Sequence, residues 1–219
     1  SGCFVPRKLP TPGLEEFENK NIFYSVKKRS DFEGKKILIA GGGDSALDYV
    51  LGFHKIASDI TLIHRRKEFK GVQDSVNKVM NLVDQKDVSV NIGTVKKMSD
   101  NGKGQVDITL DDETLIEGVD AVFPFFGLKI ELGPIADWGL NLDNNLIAVN
   151  TENFETSVPR IFAVGDICTY PGKLKLILSG FHEAALAAKK MFTYCHDDKK
   201  YVFRYTTSSK DLQEKLGVK

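Results

Sequence analysis

The chain has 219 residues, enough for one large or two small domains. Its 30 Lys plus Arg balance its 30 Asp plus Glu, which removes the whole-chain electrostatic case for nucleic acid or an anionic membrane as partner. The hydrophobic share of 42% is ordinary for a globular protein, no run nears the about 20 apolar residues of a membrane span, and Cys3, Cys168 and Cys195 are too scattered for a disulfide framework or a zinc site; reduced thiols, a cytoplasmic setting and no bound metal are expected.

In chain order, residues 1–12, with Pro6, Pro10 and Pro12, read as an extended lead-in, and Asn21–Tyr24 as a short strand. Lys35 to Arg66 reads as a strand-turn-helix-strand unit. The run Ile37-Leu38-Ile39-Ala40 has the unbroken apolar character of a buried parallel strand. Behind it, Gly41-Gly42-Gly43-Asp44-Ser45-Ala46 fits the G-x-G-x-x-G/A turn and opens a helix. Gly41 permits the tight turn, Gly43 lets backbone approach a diphosphate, and Ala46 keeps helix and strand close. The free N–H groups and dipole of the helix N-terminus then face the anion.

The second strand, Asp59–Ile63, ends in His64-Arg65-Arg66. A dinucleotide fold that prefers NAD places a carboxylate near here to hold the ribose 2′-OH. A carboxylate would repel a 2′-phosphate, whereas a planar guanidinium can grip it bidentately. The residues therefore point to NADP(H) over NAD(H). Lys70 is a third cation near that phosphate or else solvated, and His64 packs beside the adenosine or faces solvent.

Farther on, Val72 to Val83 has helical spacing of its apolar residues. Val88–Lys97 and Gln105–Leu110 read as two β-hairpin-like stretches, with Asn101-Gly102 as a turn signal. Val119–Phe126 and Leu146–Val149 read as strands, Arg160–Asp166 as a buried strand ending in a glycine–acid pair, and Ser179–Tyr194 as a helix. Trp138 is assigned to the core, His54 and His182 to structural positions, and the cations of Lys27–Arg29 and Lys96-Lys97 to solvent. The fold class is α/β: a Rossmann-like three-layer NADP-binding domain with a parallel sheet, plus a second portion.

Several strings together carry a resemblance. They are Pro6-Arg7-Lys8-Leu9, the Gly41–Ala46 turn, Ile63-His64-Arg65-Arg66, Leu132-Gly133-Pro134-Ile135 and Trp138-Gly139-Leu140. Gly165-Asp166-Ile167-Cys168-Thr169-Tyr170 and Leu176–Phe181 followed by Glu183-Ala184 complete them. Over nearly its whole length the chain resembles the later part of thioredoxin-reductase-like ferredoxin/flavodoxin–NADP+ reductases. The resemblance implies an enzyme in which hydride passes from NADPH to FAD and electrons leave singly to ferredoxin or flavodoxin. The protein's task there is to position its cofactors. The domains implied are NADP(H) binding over 13–126, the C-terminal portion of a similar FAD-binding domain over 127–196, and a C-terminal extension over 197–219.

By the same resemblance Gly165 and Asp166 approach the ribityl chain, whose hydroxyls a carboxylate can accept. Ser179-Gly180-Phe181 would begin a helix whose dipole faces the electron-rich end of the flavin. Tyr205 would stack on the flavin ring; no residue is assigned a catalytic role beyond that.

Two departures qualify the picture. Thioredoxin reductases carry a C-x-x-C dithiol upstream of the NADP turn, but the matching window here is Tyr24-Ser25-Val26-Lys27, and no C-x-x-C occurs elsewhere. Without a dithiol, thioredoxin is not reduced by that route. No counterpart of the family's earlier FAD-binding unit lies within these 219 residues, so they are expected to hold NADP(H), to bind FAD weakly or not at all through a partial site, and to be inactive alone. A homodimer is expected at full length. The alternatives are a thioredoxin reductase relative with another acceptor and a non-catalytic NADP-binding module.

Overall fold

The apolar run at Ile37–Ala40 becomes an inner strand of a four-stranded parallel sheet in the computed structural model of this chain, which describes residues 4–196, 198–202 and 209–217. Cys3 and Tyr205 lie outside the described residues. The chain divides into two compact units, Phe4–Lys129 and the residues from Ile130 onward.

The first unit runs β1 (Phe4–Pro6), β2 (Lys36–Ala40), α1 (Asp44–Phe53), β3 (Asp59–His64), α2 (Gln73–Asp84), β4 (Ser89–Ile92), β5 (Val95–Asp100), β6 (Val106–Leu110), β7 (Leu115–Val119) and β8 (Ala121–Pro124). The parallel sheet has the order β4-β3-β2-β8. Side chains alternate across it as the pleat requires. Ile37 and Ile39 of β2, Ile60 and Leu62 of β3, and Ala121 and Phe123 of β8 face α1 and α2. Leu38, Ala40, Ile63 and Val122 face the other way. Burial on both faces is why β2 carries no alternating polar residues. Each such Ile, Leu or Phe side chain contributes about 1.5–3 kcal/mol. The aromatic rings close the helical side, with Phe53 stacked on Phe123 at 5.5 Å and Phe32 edge-on to Phe123 at 5.2 Å.

The third layer is the antiparallel sheet β5-β6-β7, whose Met98, Val106, Ile108, Leu110 and Val119 cover the second face. Helix, parallel sheet and antiparallel sheet are thus the three layers. The expected hairpin over Val88–Lys97 is not formed. Its first half is β4, the edge of the parallel sheet, and its second half is β5 of the other sheet. The chain changes sheet at Gly93-Thr94, where Asp111 Oδ1 accepts the Thr94 N–H at 2.9 Å. Asn101-Gly102 does turn β5 into β6, with Gly102 at φ +76°. Where the chain enters and leaves the unit, the Arg7 N–H donates to the Gly127 carbonyl at 3.0 Å.

After β9 (Leu128–Ile130), the second unit contains β10 (Leu142–Asp143), β11 (Leu146–Ala148), β12 (Cys168–Thr169), α3 (Ile177–Cys195) and α4 (Lys210–Leu216). β11 pairs antiparallel with β10 and parallel with β12. The β10–β11 turn uses Asn144 and Asn145 at φ +50° and +60°, the left-handed conformation asparagine tolerates. Arg160–Asp166 is not a regular strand. It makes one bridge, Glu155 to Phe162, and ends in a 3-10 turn at Gly165–Ile167. Trp138 is 53% exposed rather than buried, because it closes the 3-10 helix Gly133–Asp137 while Leu132 and Leu140 on either side take the core positions. No helix among the described residues is long and apolar enough to cross a membrane.

Candidate functional site

The carboxyl ends of β2, β3 and β8 emerge together, and β2 is the strand from which the sheet is built in both directions. Open α/β sheets bind ligands at such a switch point. Here the three glycines are required for three different reasons. Gly41 sits at φ +153°, and a Cβ there would lie 2.6 Å from the Phe125 carbonyl and 3.2 Å from the Ala46 Cβ. A Cβ on Gly42 would lie 2.5 Å from both ring nitrogens of His64. Around Gly43 no atom of the chain comes within 4 Å of that position. Packing against the chain itself therefore accounts for Gly41 and Gly42, but not for Gly43. Its bare backbone borders open space at the N-terminus of α1, which suits the close approach of a diphosphate. Gly43 is the residue preceding α1, and the N–H groups of Asp44 and Ser45 have no partner within the helix.

The loop after β3 is folded back onto this turn. The Lys70 N–H donates to the Gly42 carbonyl at 2.7 Å, and the Val72 N–H donates to Asp44 Oδ1 at 2.7 Å. His64 Nε2 lies 3.0 Å from the Glu68 carbonyl, and its ring stacks on Phe69 at 5.3 Å. A Cβ on Gly71 would meet Leu47 Cδ1 at 2.5 Å, so glycine lets the loop lie on α1. Arg65, Arg66, Lys67 and Lys70 are all exposed on this short loop, against one carboxylate, Glu68. Burial pushes the His64 imidazole below its ordinary value of 6.5; the Glu68 carbonyl opposes this, and the neighbouring Arg65, Arg66 and Lys70 charges reinforce it. The Asp44 carboxylate, placed at the helix N-terminus where an anion would sit, is turned instead to the loop. Its anchoring role, like that of Gly71, carries no pattern that the sequence alone displays. Two clefts in this unit, of about 480 and 520 Å³, are lined by neither the three glycines nor the two arginines.

The second unit brings the other sequence-assigned residues together. Gly165 has φ +79° and precedes an exposed Asp166. A Cβ on Gly180 would lie 3.5 Å from the Gly165 Cα, so the glycine–acid turn and the start of α3 are in contact through backbone. The helix begins at Ile177 rather than Ser179, with Leu176 before it making no side-chain cap. The N–H groups without a helical partner are thus those of Ile177, Leu178 and Ser179, whereas Gly180 donates to the Leu176 carbonyl at 3.1 Å. Phe181 lies in the second turn and is 73% exposed, so its N–H is not among the anion-facing donors. Exposed main-chain donors beside a glycine at positive φ and a free carboxylate suit a ligand carrying both hydroxyls and an electron-rich carbonyl edge. Burial raises the Cys168 thiol to about 11, so it is held as a thiol, and Cys195 stands alone at the end of α3. Among the described residues no group of three His, Cys, Asp or Glu can hold a metal ion.

A parallel sheet with a glycine turn at a helix N-terminus and a cationic loop beside it is the arrangement of a Rossmann-type fold. The chain belongs to the pyridine nucleotide-disulphide oxidoreductase family, whose model matches residues 1–188. It is 52% identical over 221 residues to a protein of Parvibaculum lavamentivorans named ferredoxin–NADP reductase, covering 99% of this chain and 64% of that one. A protein of the same name from Nitrobacter winogradskyi is 52% identical over 220 residues, again with 99% and 64% covered. The chain thus spans about 64% of the length of the curated relatives it matches. Among solved structures it is similar to thioredoxin reductase of Lactococcus lactis, with a TM-score of 0.71 at 22% identity over 89% of this chain and 64% of that one. Thioredoxin reductase of T. acidophilum gives 0.69 at 22% identity, with 88% and 64% covered. These two likenesses concern the fold.

Proposed function

We propose that this chain carries the NADP(H) site and part of the FAD site of a reductase that passes electrons from NADPH through FAD to ferredoxin or flavodoxin. The observation that carries the reading is the loop after β3: two exposed guanidiniums and Lys70 are tied by main-chain bonds to the glycine turn. A diphosphate at Gly43 and a 2′-phosphate at Arg65 and Arg66 are then bound by one connected piece of backbone. FAD, when bound, supplies the step between a two-electron donor and a one-electron acceptor. Asp166 would accept ribityl hydroxyls, and the Ile177–Ser179 N–H groups would face the ring's electron-rich edge. Residues 13–126 and 127–196 are the proposed extents of the two cofactor portions. Ferredoxin as acceptor follows the printed names of the relatives at 52% identity.

The fold likeness to thioredoxin reductases makes thioredoxin the competing acceptor, and the lack of a C-x-x-C pair argues against it. The test is NADPH-dependent cytochrome c reduction by the full-length protein through added ferredoxin or flavodoxin, run beside reduction of a disulfide dye through added thioredoxin. Turnover only in the ferredoxin or flavodoxin arm is expected. Turnover only in the thioredoxin arm, or in neither arm while NADPH still binds, would replace this reading.

A further inference from the structure

Glu183 is the one acidic residue among the buried polar positions of the chain's described residues, at 0% exposure, and nothing above gives it a task. It lies on α3 facing the turn that holds Asp166. Its Oε2 accepts the Gly165 N–H at 2.6 Å. Its Oε1 accepts the Tyr170 hydroxyl at 2.8 Å and pairs with Lys173, whose side chain is only 6% exposed. The Cys168 thiol, 3.5 Å from Oε2, donates to the Gly165 carbonyl at 3.2 Å. Both main-chain polar groups of Gly165 are therefore held, the N–H of the peptide before it by Glu183 and the C=O of the peptide after it by Cys168. The Lys173 ammonium also sits 5.3 Å over the Tyr170 ring, which packs edge-on to Phe154 at 5.5 Å.

Burying an ion pair costs more desolvation than its attraction usually returns, and apolar residues of similar volume would serve packing as well or better. What an apolar residue cannot do is fix the direction of a peptide N–H. Gly165 is in the left-handed region, where its own torsions are soft. A charge-assisted bond to that N–H fixes the peptide plane before Gly165, and the Cys168 bonds to its C=O fix the plane after it, so the two soft torsions between them are set and with them the direction in which Asp166 projects. Burial would raise the Glu183 carboxyl, but Lys173, the Gly165 N–H and Tyr170 together hold it below the ordinary carboxylate value, so it is the ionised acceptor.

We propose that Glu183 is the positioning residue for Asp166: it clamps the Gly165 N–H while Cys168 holds the Gly165 C=O, Lys173 and Tyr170 orient the clamp, and the exposed carboxylate is thereby presented to the hydroxyls of a polyol ligand. The nature of that ligand, the ribityl chain of FAD, rests on the function proposed above. The clamp itself does not.

The experiment is amide exchange and backbone relaxation of residues 165–167 by NMR on the 219-residue chain, with FAD then added to millimolar concentration. Three variants are compared with the parent: Glu183→Gln, Glu183→Asp and Asp166→Asn. Glu183→Asp keeps the charge against Lys173 but falls short of Gly165, and serves if the Gln variant does not fold. Either Glu183 variant should exchange at Gly165 at least about tenfold faster relative to amides elsewhere on α3 and in β11. Asp166→Asn should leave Gly165 as protected as in the parent and remove the FAD-induced shifts. Unchanged exchange at Gly165 in the Glu183 variants, or loosening spread evenly over the unit, overturns the clamp. Faster exchange confined to Gly165 in the Glu183 variants, with FAD shifts absent in the parent or retained in Asp166→Asn, upholds the clamp and overturns the flavin reading instead.

Discussion

Replacing Arg65 and Arg66 by Ala tests the coenzyme preference without touching the fold. Both side chains are exposed, and the loop that carries them is fixed by main-chain bonds from Lys70 and to Asp44, none of which the substitutions remove. Surface changes of this kind shift stability by no more than about 0.5 kcal/mol. A hydrogen bond to a charged group is worth about 1.5–3 kcal/mol, and exposure places each guanidinium at the lower end of that range. At about 1.4 kcal/mol per tenfold, the double variant should bind NADPH at least about tenfold more weakly. NADH lacks the 2′-phosphate and should change by less than about twofold. Calorimetric titration of parent and variant with both nucleotides, at two salt concentrations, gives the comparison; the NADPH loss should shrink at the higher salt as the parent's advantage is screened. Equal weakening for NADPH and NADH, or none for either, would refute the assignment of these arginines to the phosphate.

Three further outcomes follow from the geometry. Gly42→Ala should cost about 1–3 kcal/mol of stability because its Cβ meets the His64 ring, whereas Gly43→Ala should melt like the parent and lose nucleotide affinity, which thermal melts and titrations will separate. Lys173→Met should cost about 3–5 kcal/mol in urea unfolding by leaving the Glu183 carboxylate uncompensated, while Lys173→Met with Glu183→Leu should recover most of that loss. Since burial lowers the His64 pKa, the fold favours the neutral ring; stability should be full above pH 6.5 and decline as pH falls below it through the lower folded value. His64→Gln should flatten that part of a melting-temperature profile, and an unchanged slope would show that other groups set it.

The parallel sheet was legible because β2 is buried on both faces, and such a strand has little freedom to be anything else. The glycine turn was legible from its spacing before a helix, but the contacts that force Gly41 and Gly42 come mainly from Phe125 and His64, which the local string does not show. The sheet change at Gly93-Thr94 was not, since two strands of different sheets present one continuous alternating pattern and only Asp111, far along the chain, separates them. The helix expected from Ser179 starts instead at Ile177, with no side-chain cap to mark its first residue. Ile161–Val164 has a strand's composition but pairs at a single bridge, because the chain turns for Gly165. The Glu183 cluster joins residues 10 to 18 positions apart without any period, and its membership depends on tertiary packing alone.

The bonds between the loop after β3 and the glycine turn bear on attempts to re-engineer this chain. Coenzyme choice is usually treated as a matter of swapping the two or three side chains that meet the ribose. On the function proposed above, the segment that bears them is joined to the glycine turn and α1 through the Lys70 amide and the Asp44 carboxylate, so a transplant of those side chains alone inherits the original backbone register. Grafting the whole stretch from His64 to Val72 together with Asp44 is the unit of exchange the molecule offers.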